Sequence, residues 1–195
     1  MNVYEGKYIR NVGIVGHSGS GKTSLVSAIL FSCGATNRLG RVEDGNTPTD
    51  YDDDEIERRI TISAKLAAAE WNKHKINLLD TPGFGNFIQE ARGALRVADA
   101  AVVVVDAVSG VMVQTEKTWS YADEFQLPRL VVVNRMDKDT ASFDRAVESI
   151  QQMLGRNCVP VQVPAGEERA FKGVVDLISN KAFLYGADGA GKFTE

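Results

Sequence analysis

The chain has 195 residues, 44% of them hydrophobic and 25% charged, with a formal net charge of −4. That suffices for one domain with a sizeable core, and the acidic balance argues against this segment gripping nucleic acid directly. No apolar run approaches the ~20 residues of a membrane span, and residues 1–10 lack the apolar centre of a secretory leader. Cys33 and Cys158 have no metal-ligand spacing, as expected of reduced thiols in a cytoplasmic protein.

Residues 11–15 read as a buried strand, followed by a glycine-rich turn and an apolar helix over residues 25–31. Residues 36–60 form a long polar loop, of the kind that is usually functional, and its acidic run 52–55 reads as a solvated face. Residues 61–71 suggest a strand weakened by alanine. Residues 75–80, 101–106 and 129–134 are stronger strands, with helices expected over 86–97, 114–125 and 142–154. Short Val/Ile/Leu runs separated by helix-length amphipathic stretches predict an α/β domain: a mostly parallel, doubly wound sheet with helices on both faces. After Pro164 the rhythm shifts to short strands at 171–177 and 181–185, then a glycine-rich end. This divides the chain into a main domain, residues 1–164, and the opening of a further subdomain, residues 165–195.

Gly16-His17-Ser18-Gly19-Ser20-Gly21-Lys22-Thr23 lies between the first strand and the first helix, with Ser24 continuing into the helix. It fits the phosphate-loop pattern, in which glycines let backbone N–H groups converge on phosphate oxygens at a helix N-terminus. Lys22 would reach the β- and γ-phosphates and the Thr23 hydroxyl would ligate Mg²⁺. Alone, the motif specifies a nucleoside triphosphate without saying which.

Asp80-Thr81-Pro82-Gly83 ends the second strong strand, on the side of a parallel sheet where ligands bind. Asp80 would hold Mg²⁺ through water, and the Gly83 N–H would meet the γ-phosphate. Asn134-Arg135-Met136-Asp137 ends the last strand. A carboxylate at Asp137 can accept two hydrogen bonds from guanine, and adenine would leave it unpaired, a discrimination on the order of 10⁴-fold. Asn134 would tie the phosphate loop to this segment and the Arg135 stem would cover the base, although Asn and Asp could also serve only as helix caps. Thr61, after Arg59-Ile60, could close over the nucleotide with its hydroxyl on Mg²⁺ and its N–H on the γ-phosphate. Lys22, Thr61 and Gly83 are thus the catalytic candidates, and Thr23, Thr61 and Asp80 the metal ligands.

These motifs, with Val108-Ser109-Gly110-Val111 and Phe171-Lys172-Gly173-Val174-Val175-Asp176-Leu177, make the chain resemble the G domain of elongation factor G and its close paralogues. The resemblance covers nearly the whole chain. It implies a Mg²⁺-dependent GTPase that works as a monomer in the cytoplasm and drives or gates a change on the ribosome. Ribosome contact would come through domains beyond this front part, and residues after 164 would enter the subdomain that elongation factor G inserts in its G domain. Four positions depart from the family pattern. Phe84 stands where the family has the His that positions water, Gly19 replaces an Asp, Arg59 a Gly, and Arg135 a Lys. Phenylalanine can neither accept a proton nor orient water, so the expectation is slow hydrolysis. A GTP-loaded binding switch, or a ribosomal protection or release-factor GTPase, would share the same motifs.

Overall fold

A computed structural model describes residues 3–186 and 193–195. The chain forms two compact units, one of Met1–Val104 with Val113–Val132, the other of Val105–Met112 with Val133–Glu195.

The first unit holds β1 (Ile9–Gly16), α1 (Lys22–Ser32), α2 (Asp53–Arg58), β2 (Lys65–Trp71), β3 (His74–Asp80), α3 (Ile88–Arg96) and α4 (Val113–Glu124). It also holds most of β4 (Ala100–Asp106) and β5 (Arg129–Asn134), whose last residues pass into the second unit. The sheet order is β2-β3-β1-β4-β5. β1 runs parallel to both β3 and β4, while β2 returns antiparallel to β3. The expected α/β, mostly parallel architecture is therefore the fold. Its core follows from the apolar runs: Ile14, Leu78 and Val104 from the sheet pack with Val26 and Leu30 of α1. Consecutive valines suit β4 because a strand covered on both faces has no polar side.

Two sequence expectations change here. The polar loop is not structureless, since residues 53–58 form α2. The strand expected from residue 61 begins only at Lys65. The reason is local: Ile62 N and Ser63 N donate to the Glu55 carboxylate, at 2.8 and 3.1 Å, so these residues hydrogen-bond to a side chain instead of a ladder.

In the second unit, α5 (Phe143–Met153) starts at Ser142, whose hydroxyl accepts from Arg145 N at 3.4 Å. It buries Ala146 and Ile150, four residues apart on one face. A separate antiparallel sheet of order β6-β7-β8-β9 comprises Gln162–Ala165, Gly173–Asp176, Lys181–Tyr185 and Phe193–Thr194. β6 was not legible in the sequence because Pro160 and Pro164 mask it; proline is tolerated there because β6 is an edge strand. The glycine-rich stretch 187–192 lies outside the described residues.

Candidate functional site

The phosphate loop connects β1 to α1. At Gly16, φ is +141° and a Cβ would collide with the Val104 carbonyl, so only glycine lets β1 turn there. Gly21, at φ 91°, is the N-cap of α1 and carries no side-chain cap. The first helical N–H groups are thereby left facing outward, which suits an anion. Ser20 is buried and its hydroxyl donates to the His17 carbonyl at 2.9 Å. Ser18 N donates to the Gly83 carbonyl at 3.0 Å, which joins the loop directly to the segment after β3. A Cβ at Gly83 would meet Lys22 Nζ and lie 2.6 Å from Ser18 N, so glycine is required by crowding rather than by φ.

Lys22 is buried and donates from Nζ to the His17 carbonyl at 2.8 Å. Burial lowers its pKa to about 8, against the opposing pull of Asp80. The same two effects act in mirror image on Asp80, where burial raises the carboxyl to about 6 while the Thr49 hydroxyl and Lys22 hold it down. His17 is lowered by its own burial and by Lys22.

Three threonine hydroxyls pair with one another or with the carboxylates of Asp80 and Asp50. Thr49 Oγ1 donates to Asp80 Oδ2 at 2.8 Å, Thr23 Oγ1 lies 3.0 Å from Thr61 Oγ1, and Thr61 Oγ1 donates to Asp50 Oδ1 at 3.0 Å. Burial raises Asp50, partly offset by the Thr61 hydrogen bond. Asp80 Oδ1 is buried without a hydrogen-bond partner. An ordered water or a bound cation would satisfy such an atom. Thr23 and Thr61 are hydrogen-bonded to each other and lie close enough for both hydroxyls to serve one cation. Among the described residues no cluster of three His, Cys, Asp or Glu could hold a metal by itself. A cation here would lean on hydroxyls, one carboxylate and phosphate oxygens, the hard-oxygen set Mg²⁺ prefers.

Thr61 is held over the site by a clamp that the sequence did not reveal. Glu55 is 1% exposed; besides the two N–H groups it accepts, its other oxygen lies 3.4 Å from Lys65 Nζ. Lys65 also pairs with Asp52 and sits 4.1 Å over the Tyr51 ring. Burial depresses Lys65, but the Asp52 hydrogen bond and the Glu55 charge outweigh it and leave its pKa raised. The acidic run is therefore not uniformly solvated: Asp53 and Asp54 are, and Glu55 is a buried anchor. Thr49, Asp50, Glu55 and Lys65 are the site residues that sequence reasoning missed. Nothing in their spacing marks them, because their partners are brought in by the fold.

A cavity of about 270 Å³ lies beside the phosphate loop, lined among others by Ser18, Gly21, Thr23, Ser24, Thr61 and Gly83. Phe84 also lines it and is 42% exposed. Thr81, expected at the ligand, turns its hydroxyl away to the Ile14 carbonyl at 2.7 Å and locks β3 to β1. Pro82 is buried.

In the second unit, Arg135 has φ 63° and donates from Nη1 to Asp106 Oδ2 at 2.7 Å. The other Asp106 oxygen accepts from Val108 N at 2.8 Å. The guanidinium is thus fixed by a buried carboxylate. Met136, a sequence candidate for nucleotide contact, instead packs its side chain into a core with Ala107 and Ala141. Asp137 is exposed, with Lys138 Nζ 3.6 Å away. Asn134 ends β5, and its carbonyl accepts from Ala107 N at 2.9 Å.

The family described as elongation factor Tu GTP binding domain matches residues 7–187. The chain belongs to the elongation factor Tu GTP binding domain family. Within that family of GTPase domains, it is 42% identical over 189 residues to a protein named elongation factor G 1 from Bdellovibrio bacteriovorus, covering 97% of this chain and 27% of that protein. It is 43% identical over 193 residues to elongation factor G of Petrotoga mobilis, covering 99% of this chain and 28% of the relative. A crystal structure of a Thermus thermophilus protein superposes with a TM-score of 0.89 at 41% identity, over 97% of this chain and 28% of that one. The chain therefore spans little more than a quarter of the length of these relatives.

Proposed function

We propose that this chain is the nucleotide-binding front of an elongation factor G-like translational GTPase, which binds GTP with Mg²⁺ and acts on the ribosome. The observation that carries the reading is the Thr23–Thr61 contact in the cavity beside the phosphate loop, with the buried Asp80 carboxylate acting on Lys22 of the same loop. Thr23, Thr61 and, through water, Asp80 would hold Mg²⁺, which neutralises charge on the β- and γ-phosphates when bound. Lys22 and the backbone N–H groups of residues 16–24 would cradle the phosphates, the Gly83 N–H would meet the γ-phosphate, and Asn134, Arg135 and Asp137 would read guanine. Residues 1–164 would be the G domain and residues 165–195 the opening of its inserted subdomain, acting within a cytoplasmic monomer. Among the described residues no helix is long and apolar enough to cross a membrane.

Hydrolysis would be slow. Phe84 lines the cavity where the family's His positions water, and loss of such a group costs roughly 10²–10⁴-fold in rate. A GTP-loaded ribosome-binding switch with little turnover is the second reading, and Phe84 favours it; ribosomal protection or release-factor activity would share the site.

The test is GTP turnover by the intact protein, with and without ribosomes, beside its Phe84→His variant. Turnover raised by histidine supports a site limited by water positioning. Strong ribosome stimulation of the unmodified protein, unchanged in Phe84→His, would overturn the slow-hydrolysis reading. Asp137→Asn should shift preference from GTP toward xanthosine triphosphate.

A further inference from the structure

The terminal phosphate of a nucleoside triphosphate carries charge that the protein must answer, and that charge shifts outward during hydrolysis. Two cationic side chains line the cavity beside the phosphate loop, Lys22 and Arg59. Lys22 is buried and already donates to the His17 carbonyl. Arg59 is exposed, and among the described residues no hydrogen bond or ion pair holds its guanidinium. The carboxylates along the same wall are Glu43 and Asp50, and Asp50 is occupied by Thr61.

The backbone that presents Arg59 is fixed. It caps α2 at φ 55°, with its N–H on the Glu55 and Ile56 carbonyls, and Ile60 N donates to Glu55 O at 3.2 Å. Two residues later Thr61 is tied to Thr23. Glycine would adopt this left-handed turn freely, whereas arginine adopts it at a modest cost.

We propose that Arg59 is a γ-phosphate-reading residue, pairing its guanidinium with the terminal phosphate of GTP so that the domain distinguishes GTP from GDP. The inference rests on the chain's reading as a GTP-binding domain and goes beyond it. A guanidinium suits this task because its planar fork matches two phosphate oxygens at once. The same contact stabilises charge in hydrolysis. There the water oxygen bonds to the γ-phosphorus as the bond to the β–γ bridging oxygen breaks. The electron pair leaves on that oxygen of GDP, and both water protons end on the released phosphate, one on the new hydroxyl and one on a former γ-phosphate oxygen. Phe84 adds no charge to this wall of the cavity, which leaves the task to the two cations.

The experiment compares the intact protein with Arg59→Gly and Arg59→Lys. It measures GTP and GDP dissociation constants, capture of Mg²⁺-GDP with aluminium fluoride, and single-turnover hydrolysis. Arg59→Gly relieves the turn, so folding is retained. The expected result is GDP affinity within about 2-fold of the parent, GTP bound about 10-fold more weakly, and aluminium fluoride capture lost. Arg59→Lys should recover part of the GTP affinity. An unchanged GTP-to-GDP ratio with capture intact would overturn the proposal. Equal weakening of both nucleotides would also overturn it, by marking Arg59 as part of the loop's architecture. A parent protein that binds neither nucleotide would instead sink the GTP-binding reading, and this inference with it.

Discussion

Thr23 and Thr61 place their hydroxyls 3.0 Å apart although 38 residues separate them in the chain. The contact joins the first turn of α1 to the segment after α2, and Asp50 holds Thr61 in place from the other side. If this pair is an edge of a Mg²⁺ shell, Thr61→Val should weaken Mg²⁺-dependent GTP binding about 10-fold, while Thr61→Ser retains most of it. Magnesium titration at fixed GTP measures this, and equal affinities for the Val and Ser variants would remove Thr61 from the shell.

Asp80 places function against stability. Its carboxyl titrates at about 6 in the fold against an ordinary 3.8, raised chiefly by burial. A raised carboxyl means that ionisation opposes folding. The opposition is complete above about pH 6 and fades as the pH falls toward 3.8. Asp80→Asn should therefore stabilise the nucleotide-free protein at pH 8, by about 1–2 kcal/mol once the amide left without an acceptor is counted. The gain should vanish near pH 4. The same variant should lose stabilisation by added Mg²⁺ and GTP. Thermal melts at the two pH values, with and without ligand, decide both points.

The Glu55 clamp should govern how long Thr61 stays over the site. Glu55→Ala leaves Ile62 N and Ser63 N without their acceptor and Lys65 with one carboxylate fewer. We expect a loss of about 2–3 kcal/mol and faster hydrogen exchange at residues 60–65. Lys65→Met should cost less, because Glu55 keeps its two backbone donors. If exchange at 60–65 is unchanged in Glu55→Ala, the clamp is not what orders this segment.

Lys22 and Gly83 should fail differently. Lys22→Ala removes the cation of the phosphate loop and should abolish nucleotide binding with the fold intact; retained micromolar GTP affinity would break the assignment. Gly83→Ala drives a Cβ into Lys22 Nζ and Ser18 N, so it should lower both nucleotide affinity and melting temperature.

Charge at Lys22 should show in the pH dependence of binding. Its pKa is lowered to about 8 by burial, and a bound phosphate favours the charged form. Binding should take up protons near pH 8, and less at pH 6.5, where Lys22 is already protonated. Calorimetry in two buffers of different ionisation enthalpy at each pH measures this; equal uptake at both would assign the proton elsewhere.

Much of the architecture was written locally. Short valine runs such as 102–105 suit strands covered on both faces, and the glycines of residues 16–21 permit a turn that other residues rarely make. The order of the motifs along the chain likewise pointed to the loops proposed for phosphate and base contacts. Arg59 and Phe84 were legible as departures from a family pattern, since a substitution is visible without a structure. Tertiary structure alone decided what surrounds those motifs. Thr49 reaches Asp80 across 31 residues, and Glu55 becomes a buried anchor instead of a solvated acid because Lys65 and two free N–H groups meet it there. Met136 and Thr81, inside recognised motifs, turned out to serve the core and the sheet. Periodicity and turn chemistry act between neighbours in sequence and can be read from it. Hydrogen bonds and ion pairs between distant residues depend on where the folded backbone brings each side chain, and no local pattern records that.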